Sequence, residues 1–280
     1  MKIEKIKNFN QVILAIAGIL GLILLLIFIV MAVSELFRDF GYNRSRTITN
    51  SLISEDKIEM LNKDNLRLQI VSYESPKLID TVNAVYIIPV SVSTLDKPET
   101  VVEFSGDGIM GLLDTYGSTR NKGYSFENYF DGLFANIIVY KPITNIAVLL
   151  FNERIMLSGI RTYYFKDDIL LVFYTAENDT NNDGFINFDD NTNLCIYSLK
   201  TGKMRRIAEG TNSVTGYQFV ENTKDLLVEF SLSQYKDVKF KSYKPRKIMK
   251  YEFDAEKLSE AVPANIQQQM QNLVEGRITQ

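Results

Sequence analysis

The sequence predicts a mostly β fold, on three observations. From Arg67 onward, short apolar runs rich in Val, Ile, Tyr and Phe alternate with turn residues, the pattern of short antiparallel strands. A tyrosine-marked segment recurs at positions 86, 140, 197 and 251, intervals of 54, 57 and 54 residues. Near the N-terminus, 22 consecutive residues from Val12 to Val33 carry no charge. Together these divide the chain into an N-terminal segment (1–11), a transmembrane helix (12–33), a juxtamembrane stalk (34–66), a β-rich domain (67–257) and a C-terminal helix and tail (258–280).

A helix over 12–33 would rise ~33 Å, enough for the hydrocarbon core. A cleavable signal peptide has a shorter apolar region, about 7–15 residues. Ala32-Val33-Ser34 weakly imitates a cleavage site, but a retained anchor fits the length better. Lys2, Lys5 and Lys7 precede the helix with only Glu4 against them, while the far flank mixes Glu35, Arg38, Asp39, Arg44 and Arg46. The positive-inside bias therefore puts residues 1–11 in the cytoplasm and the bulk of the chain outside it, as a single-pass protein of the cell membrane. Residues 34–66 are polar and charged, with a short helix expected around Ser54–Asn62. Strands are expected at 68–73, 84–92, 136–140, 146–151, 169–175, 194–199, 226–230 and 248–253. Beyond them, Leu258, Ala261, Ile266, Met270 and Leu273 fall near helical spacing, interrupted by Pro263.

One loop carries chemistry. Residues 179–190 read Asp-Thr-Asn-Asn-Asp-Gly-Phe-Ile-Asn-Phe-Asp-Asp. Oxygen side chains fall at loop positions 1, 3, 5, 9 and 12 (Asp179, Asn181, Asp183, Asn187, Asp190), and Phe185 at position 7 supplies a backbone carbonyl. Gly184 takes position 6, where the chain must turn sharply. This spacing wraps one short segment around a hard cation that needs six or more oxygens at ~2.3–2.6 Å, so calcium is the expected ion. An acidic hairpin turn is the plainer alternative. Aspartate at position 12 is shorter than the usual glutamate, which leaves the coordination number open.

Composition excludes several chemistries. A net charge of −3 without a dense basic cluster gives no reason to expect nucleic acid. Histidine is absent, which removes Ser-His-Asp and Cys-His machinery and histidine zinc sites. The single cysteine, Cys195, has no internal partner and sits in the apolar run Leu194–Tyr197, the setting of a small core residue. Ser105–Gly108 and Gly117–Thr119 read as turns rather than phosphate loops, and Asp167-Asp168 as a hairpin turn rather than a carboxylate pair. Tyr124, Phe126, Tyr129, Phe130 and Phe134 form an aromatic stretch suited to core, or to a partner surface.

The repeat aligns Asn136–Asn145 with Asn193–Gly202: a strand, a Thr-Asn or Thr-Gly turn, then a second strand. Ile248–Asp254 gives a third copy and Ala84–Ile88 a faint fourth. Periods near 40–50 residues are typical of propeller blades. In its calcium loop, the following strand Leu194–Leu199 and the Thr201-Gly202-Lys203 turn, the chain resembles bacterial extracytoplasmic TolB-like or WD-like β-propeller proteins. Some of these carry an EF-hand-like or dockerin-like calcium loop in a blade hairpin. The resemblance covers about residues 133–257 and implies antiparallel blades, with too few copies to require a closed ring. Ser233–Lys244 occupies the corresponding place in the next copy, but Lys236, Lys239, Lys241 and Lys244 exclude calcium there.

These readings point to a calcium-braced β domain serving as an accessory or partner-binding subunit of a membrane-protein complex, and not as an enzyme. A histidine-independent hydrolase or a ligand-binding sensor is the alternative.

Overall fold

The structure, a computed structural model, describes residues 25, 51–101, 129–235, 238 and 244–277. The chain divides into two compact units, Met1–Thr49 and Asn50–Gln280, and the second is described below. Among the described residues, no helix is long and apolar enough to cross a membrane. The expected span over 12–33 lies outside them except for Leu25, which is helical and exposed.

The second unit is mostly β. Its elements are β1 (Leu52–Ile53), α1 (Glu55–Lys63), β2 (Leu66–Tyr73), β3 (Lys77–Asp80), β4 (Val85–Thr100), β5 (Tyr129–Phe134), β6 (Asn136–Lys141), β7 (Ile146–Leu149), β8 (Met156–Tyr164) and β9 (Ile169–Ala176). There follow β10 (Phe185–Ile186), β11 (Thr192–Ser198), β12 (Met204–Ile207), β13 (Ser213–Phe219), β14 (Leu226–Ser231), β15 (Arg246–Glu252), β16 (Lys257–Glu260) and α2 (Ala264–Val274). All strand pairs are antiparallel. A first sheet runs β2-β4-β6-β7 with β3 also on β4, a second runs β12-β11-β9-β8-β5, and a third runs β13-β14-β15-β16.

The second sheet is buried on both faces. Leu171, Phe173 and Cys195 pack with Ile87, Ile137 and Val139 of the first sheet. Their strand neighbours Leu170, Val172, Leu194 and Ile196 pack with Val228, Phe230 and Tyr251 of the third. Successive side chains of a strand point to opposite faces, so a strand between two cores must be apolar throughout. Ile-Leu-Leu-Val-Phe in β9 meets that condition.

The repeat has a structural counterpart in three copies. Tyr140, Tyr197 and Tyr251 lie on β6, β11 and β15, each paired with a following strand that ends its sheet among the described residues. Five residues after each tyrosine the backbone takes a positive φ: +51° at Asn145, +67° at Gly202 and +51° at Glu256. One left-handed residue closes each hairpin, and Thr-Asn and Thr-Gly meet that need. The expected fourth copy is different. Tyr86 on β4 pairs directly with Tyr140 in the same sheet, so it marks no sheet of its own.

Two boundaries also shift. Residues 51–66, read as the end of a stalk, hold β1 and α1, and Ser51, Leu52 and Ile53 are buried. The start of the expected C-terminal helix is strand instead, since Leu258 of β16 pairs with Tyr251. The helix follows Pro263, whose fixed φ suits a helix entrance. Of the aromatic stretch, residues 124–128 lie outside the described residues. Phe130 and Phe134 on β5 are buried, and Tyr129 is partly exposed. Of the lysine-rich hairpin, only Ser233–Tyr235, Val238 and Lys244 are described, and Ser233–Tyr235 form a 3-10 turn.

Candidate metal centre

The loop joining β9 to β11 leaves the central sheet at Ala176 and returns at Thr192. Its position is therefore fixed by two of the most buried strands. Inside it, the two-residue strand β10 pairs with β1, Leu52 opposite Ile186 and Ile53 opposite Phe185. Ile186, at loop position 8, packs into a small core with Leu52, Val92, Met156 and Ala176. The loop is thus held at both ends and in the middle.

This pairing orients one expected ligand. The Ser54 amide donates to the Gly184 carbonyl at 3.0 Å, which makes Ser54–Gly184 a hydrogen-bonded pair. Pairs alternate along an antiparallel ladder, so Ile53–Phe185 is a non-hydrogen-bonded one. The Phe185 carbonyl then faces away from β1, on the same side as its amide, which donates to Asp183 Oδ1 at 2.9 Å. Ile53 behaves consistently, since its amide and carbonyl bond to Gln69 and Arg154 instead.

Three of the remaining expected ligands sit together. The Asp183 amide donates to Asp179 Oδ1 (3.1 Å) and Asn181 Oδ1 (2.9 Å), and Asn181 Nδ2 donates to Asp183 Oδ2 (3.3 Å). The second oxygen of Asp179 accepts from the Gly184 amide at 2.8 Å. Asp190 closes the loop from below. Its Oδ1 accepts from the amides of Thr180 (2.6 Å) and Asn181 (3.1 Å) and from the Thr180 hydroxyl (3.0 Å), and its Oδ2 from the Asn187 amide (3.0 Å). Asn187, the position-9 residue, is buried and accepts from the Asp189 amide, 2.6 Å away. Gly184 has φ +85°, and a Cβ there would lie 2.8 Å from Lys57 Cε. The Lys57 ammonium lies 4.2 Å from the centroid of the Phe185 ring, which locks α1 against the outside of the loop.

By chemistry the donor set suits a hard cation: three carboxylates, two side-chain amide oxygens and one backbone carbonyl. Among the described residues, however, no group of three or more His, Cys, Asp or Glu side chains is drawn together closely enough to hold a metal. Only Asp179, Asp183 and Asp190 among the six are carboxylates, and Asp190 points its oxygens at loop amides.

Local spacing revealed the six residues. It gave no sign of the Thr180 hydroxyl, which bonds Asp190 and also accepts from the Asn191 amide at 2.9 Å, nor of Lys57. The apolar pair Leu52-Ile53 was the one available signal for β1, and it was too short to read as a strand. Elsewhere, burial pushes the Cys195 thiol up to about 11, its Sγ 3.6 Å from Thr175 Oγ1. A neutral thiol in the core is no nucleophile. Asp168, of the Asp167-Asp168 pair, is buried and accepts from the Ser198 hydroxyl at 2.6 Å, while Asp167 pairs with Lys224 at 2.8 Å. Both are structural bonds of the β8–β9 turn.

The described unit is therefore a stack of three antiparallel sheets with the loop between β9 and β11 set into the middle one. Comparison with known proteins finds no matching family model, no curated protein of similar sequence and no solved structure of similar fold.

Proposed function

We propose that this chain is a membrane-anchored, calcium-braced binding subunit, with its sheets arranged as an open, blade-like stack of the TolB-like or WD-like kind. The observation that carries the binding role is the contrast between the two ends of the stack. The outer face of the third sheet sets its exposed Leu227 and Ile248 among ion pairs, Arg246 with Glu229 and Lys250 with Glu252. The outer face of the first sheet is apolar: Ile88, Ile138 and Leu149 share it through direct pairing. At its edge, Ile146, Val148 and Leu149 of β7 are all exposed. An apolar face ending in an edge strand with one side unpaired among the described residues suits a partner that adds a strand or covers the face. The uncharged segment 12–33 would confine that partner to the same bilayer.

Calcium in this reading holds the β9–β11 connection. Asp179, Asn181, Asp183, Asn187 and Asp190 with the Phe185 carbonyl would bind it, and the ion would offset the repulsion of clustered carboxylates. The absence of histidine and the buried cysteine support a non-catalytic role. A ligand-binding sensor is the second reading, favoured by a groove of about 520 Å3 beside the loop, lined by Asn191, Thr192, Thr211, Ser213 and Ser233.

The test is copurification of the tagged full chain from mild detergent. A larger assembly is expected, released by Leu149→Asp and Val148→Asp together without loss of the folded domain. A monomer whose hydrodynamic size is the same with and without those changes would refute the binding role.

A further inference from the structure

The turns at the opposite end of the domain from the metal loop enclose a second feature. The β3–β4, β6–β7, β8–β9 and β11–β12 turns line one cleft of about 1630 Å3. Ordinary small-ligand pockets hold about 300–1,000 Å3, so an extended ligand fits here. The floor is apolar, with Ile79, Val85 and Phe130 all buried. At the rim, apolar side chains stand in solvent: Val82 is 87% exposed, Ile143 78% and Tyr164 51%.

The polar groups of the cleft are unequally engaged. Asp80 caps its own turn, accepting from the amides of Val82 (2.9 Å) and Asn83 (3.1 Å). Asp168 accepts from Ser198 Oγ and the Lys200 amide, and Asp167 pairs with Lys224. Lys77 lies 3.9 Å from the Phe130 ring centroid and donates to the Tyr129 carbonyl at 3.1 Å. Lys141, Lys166 and Lys200 are exposed and form no ion pair among the described residues. With Asp167 set against Lys224, these three lysines face Asp80 and Asp168, in a chain whose net charge is −3.

We propose that this cleft binds an anionic amphiphile, its oxyanion headgroup held by Lys141, Lys166 and Lys200 and its apolar chain lying over Ile79 and Phe130. Ammonium groups supply point charges for a carboxylate or phosphate, and the exposed rim residues gain from covering by a chain. The site does not include the metal loop, and it meets the outer face of the first sheet at Tyr86.

The test uses the full chain in phosphatidylcholine nanodiscs with a long-chain carboxylate carrying a terminal diazirine. Photolabelling is expected on peptides containing residues 78–86 and 142–145, while the matching diazirine alcohol labels them at background. Lys166→Glu with Lys200→Glu should cut labelling roughly tenfold through charge reversal at two contacts. Thermal unfolding should be unchanged, because both side chains are exposed. Suppression by phosphatidylglycerol placed in the disc would assign the headgroup to bilayer lipid. Suppression by added laurate alone would assign it to a free amphiphile, and either result upholds the site. Equal labelling by the alcohol, labelling outside the cleft, indifference to the double charge reversal, or complete displacement by inorganic phosphate would each overturn it.

Discussion

Asp190 and Asp183 are both expected calcium ligands, yet they hold different things. Asp190 is buried and gathers three backbone amides, those of Thr180, Asn181 and Asn187. Asp183 is exposed and braces only the turn around itself. Asp190→Ala should therefore cost about 3 kcal/mol even in chelator, because buried donors lose their acceptor. Asp183→Ala should be nearly silent in chelator and costly in calcium. Urea unfolding of both variants under both conditions measures the difference. Gly202, at φ +67° with only Tyr197 Oη within 4 Å of its missing Cβ, should lose about 1–2 kcal/mol on change to Ala from backbone strain alone. Cys195 adds a pH dependence. The unfolded chain releases the thiol proton near 9.0, while the folded chain keeps it to about 11. Its contribution to stability is thus complete below pH 9.0 and lost as pH rises toward 11. Iodoacetamide should leave the native protein unlabelled at pH 8 and modify it once urea unfolds it. At this scale the expected ligand positions were legible because their spacing is local. The direction of their hydrogen bonds was not, because it depends on where β1 and α1 arrive.

At the scale of elements, legibility followed the regularity of the strand. β9 and β11 read clearly because burial on both faces demands unbroken apolar runs. β8 and β13 were missed: each carries a glycine, and register shifts fall between Ser158 and Arg161 and between Val214 and Gly216. A bulge breaks the two-residue period on which a sequence reading relies. The tyrosine repeat was half legible. It marks equivalent hairpins in three sheets, but in a tyrosine-rich chain it also caught Tyr86, a cross-strand neighbour of Tyr140. The central position of β9 yields a prediction. Phe173 is fully buried, edge-to-face with Phe151 at 5.8 Å between ring centroids. Phe173→Ala should cost about 3–5 kcal/mol, measured as a lower urea midpoint with an unchanged slope. The same change at the half-buried Tyr140 should cost clearly less.

For the whole molecule, the three sheets and the loop form one mechanical argument. The loop bridges strands that touch both cores, β1 pairs with β10 inside it, and α1 leans on it through Lys57. An ion there would tie the start of the described domain to its centre. The central claim is that calcium braces this connection, and thermal unfolding of the full chain tests it most directly. Calcium at a hundred times its dissociation constant would stabilise the folded state by about 2.7 kcal/mol. In a domain of this size that corresponds to roughly 5–10 °C in Tm. The account predicts that rise for the wild type on adding calcium to chelated protein, and its absence in Asp183→Ala. A wild-type Tm indifferent to saturating calcium and to chelator would show that residues 179–190 are a self-sufficient acidic turn, and would contradict the account.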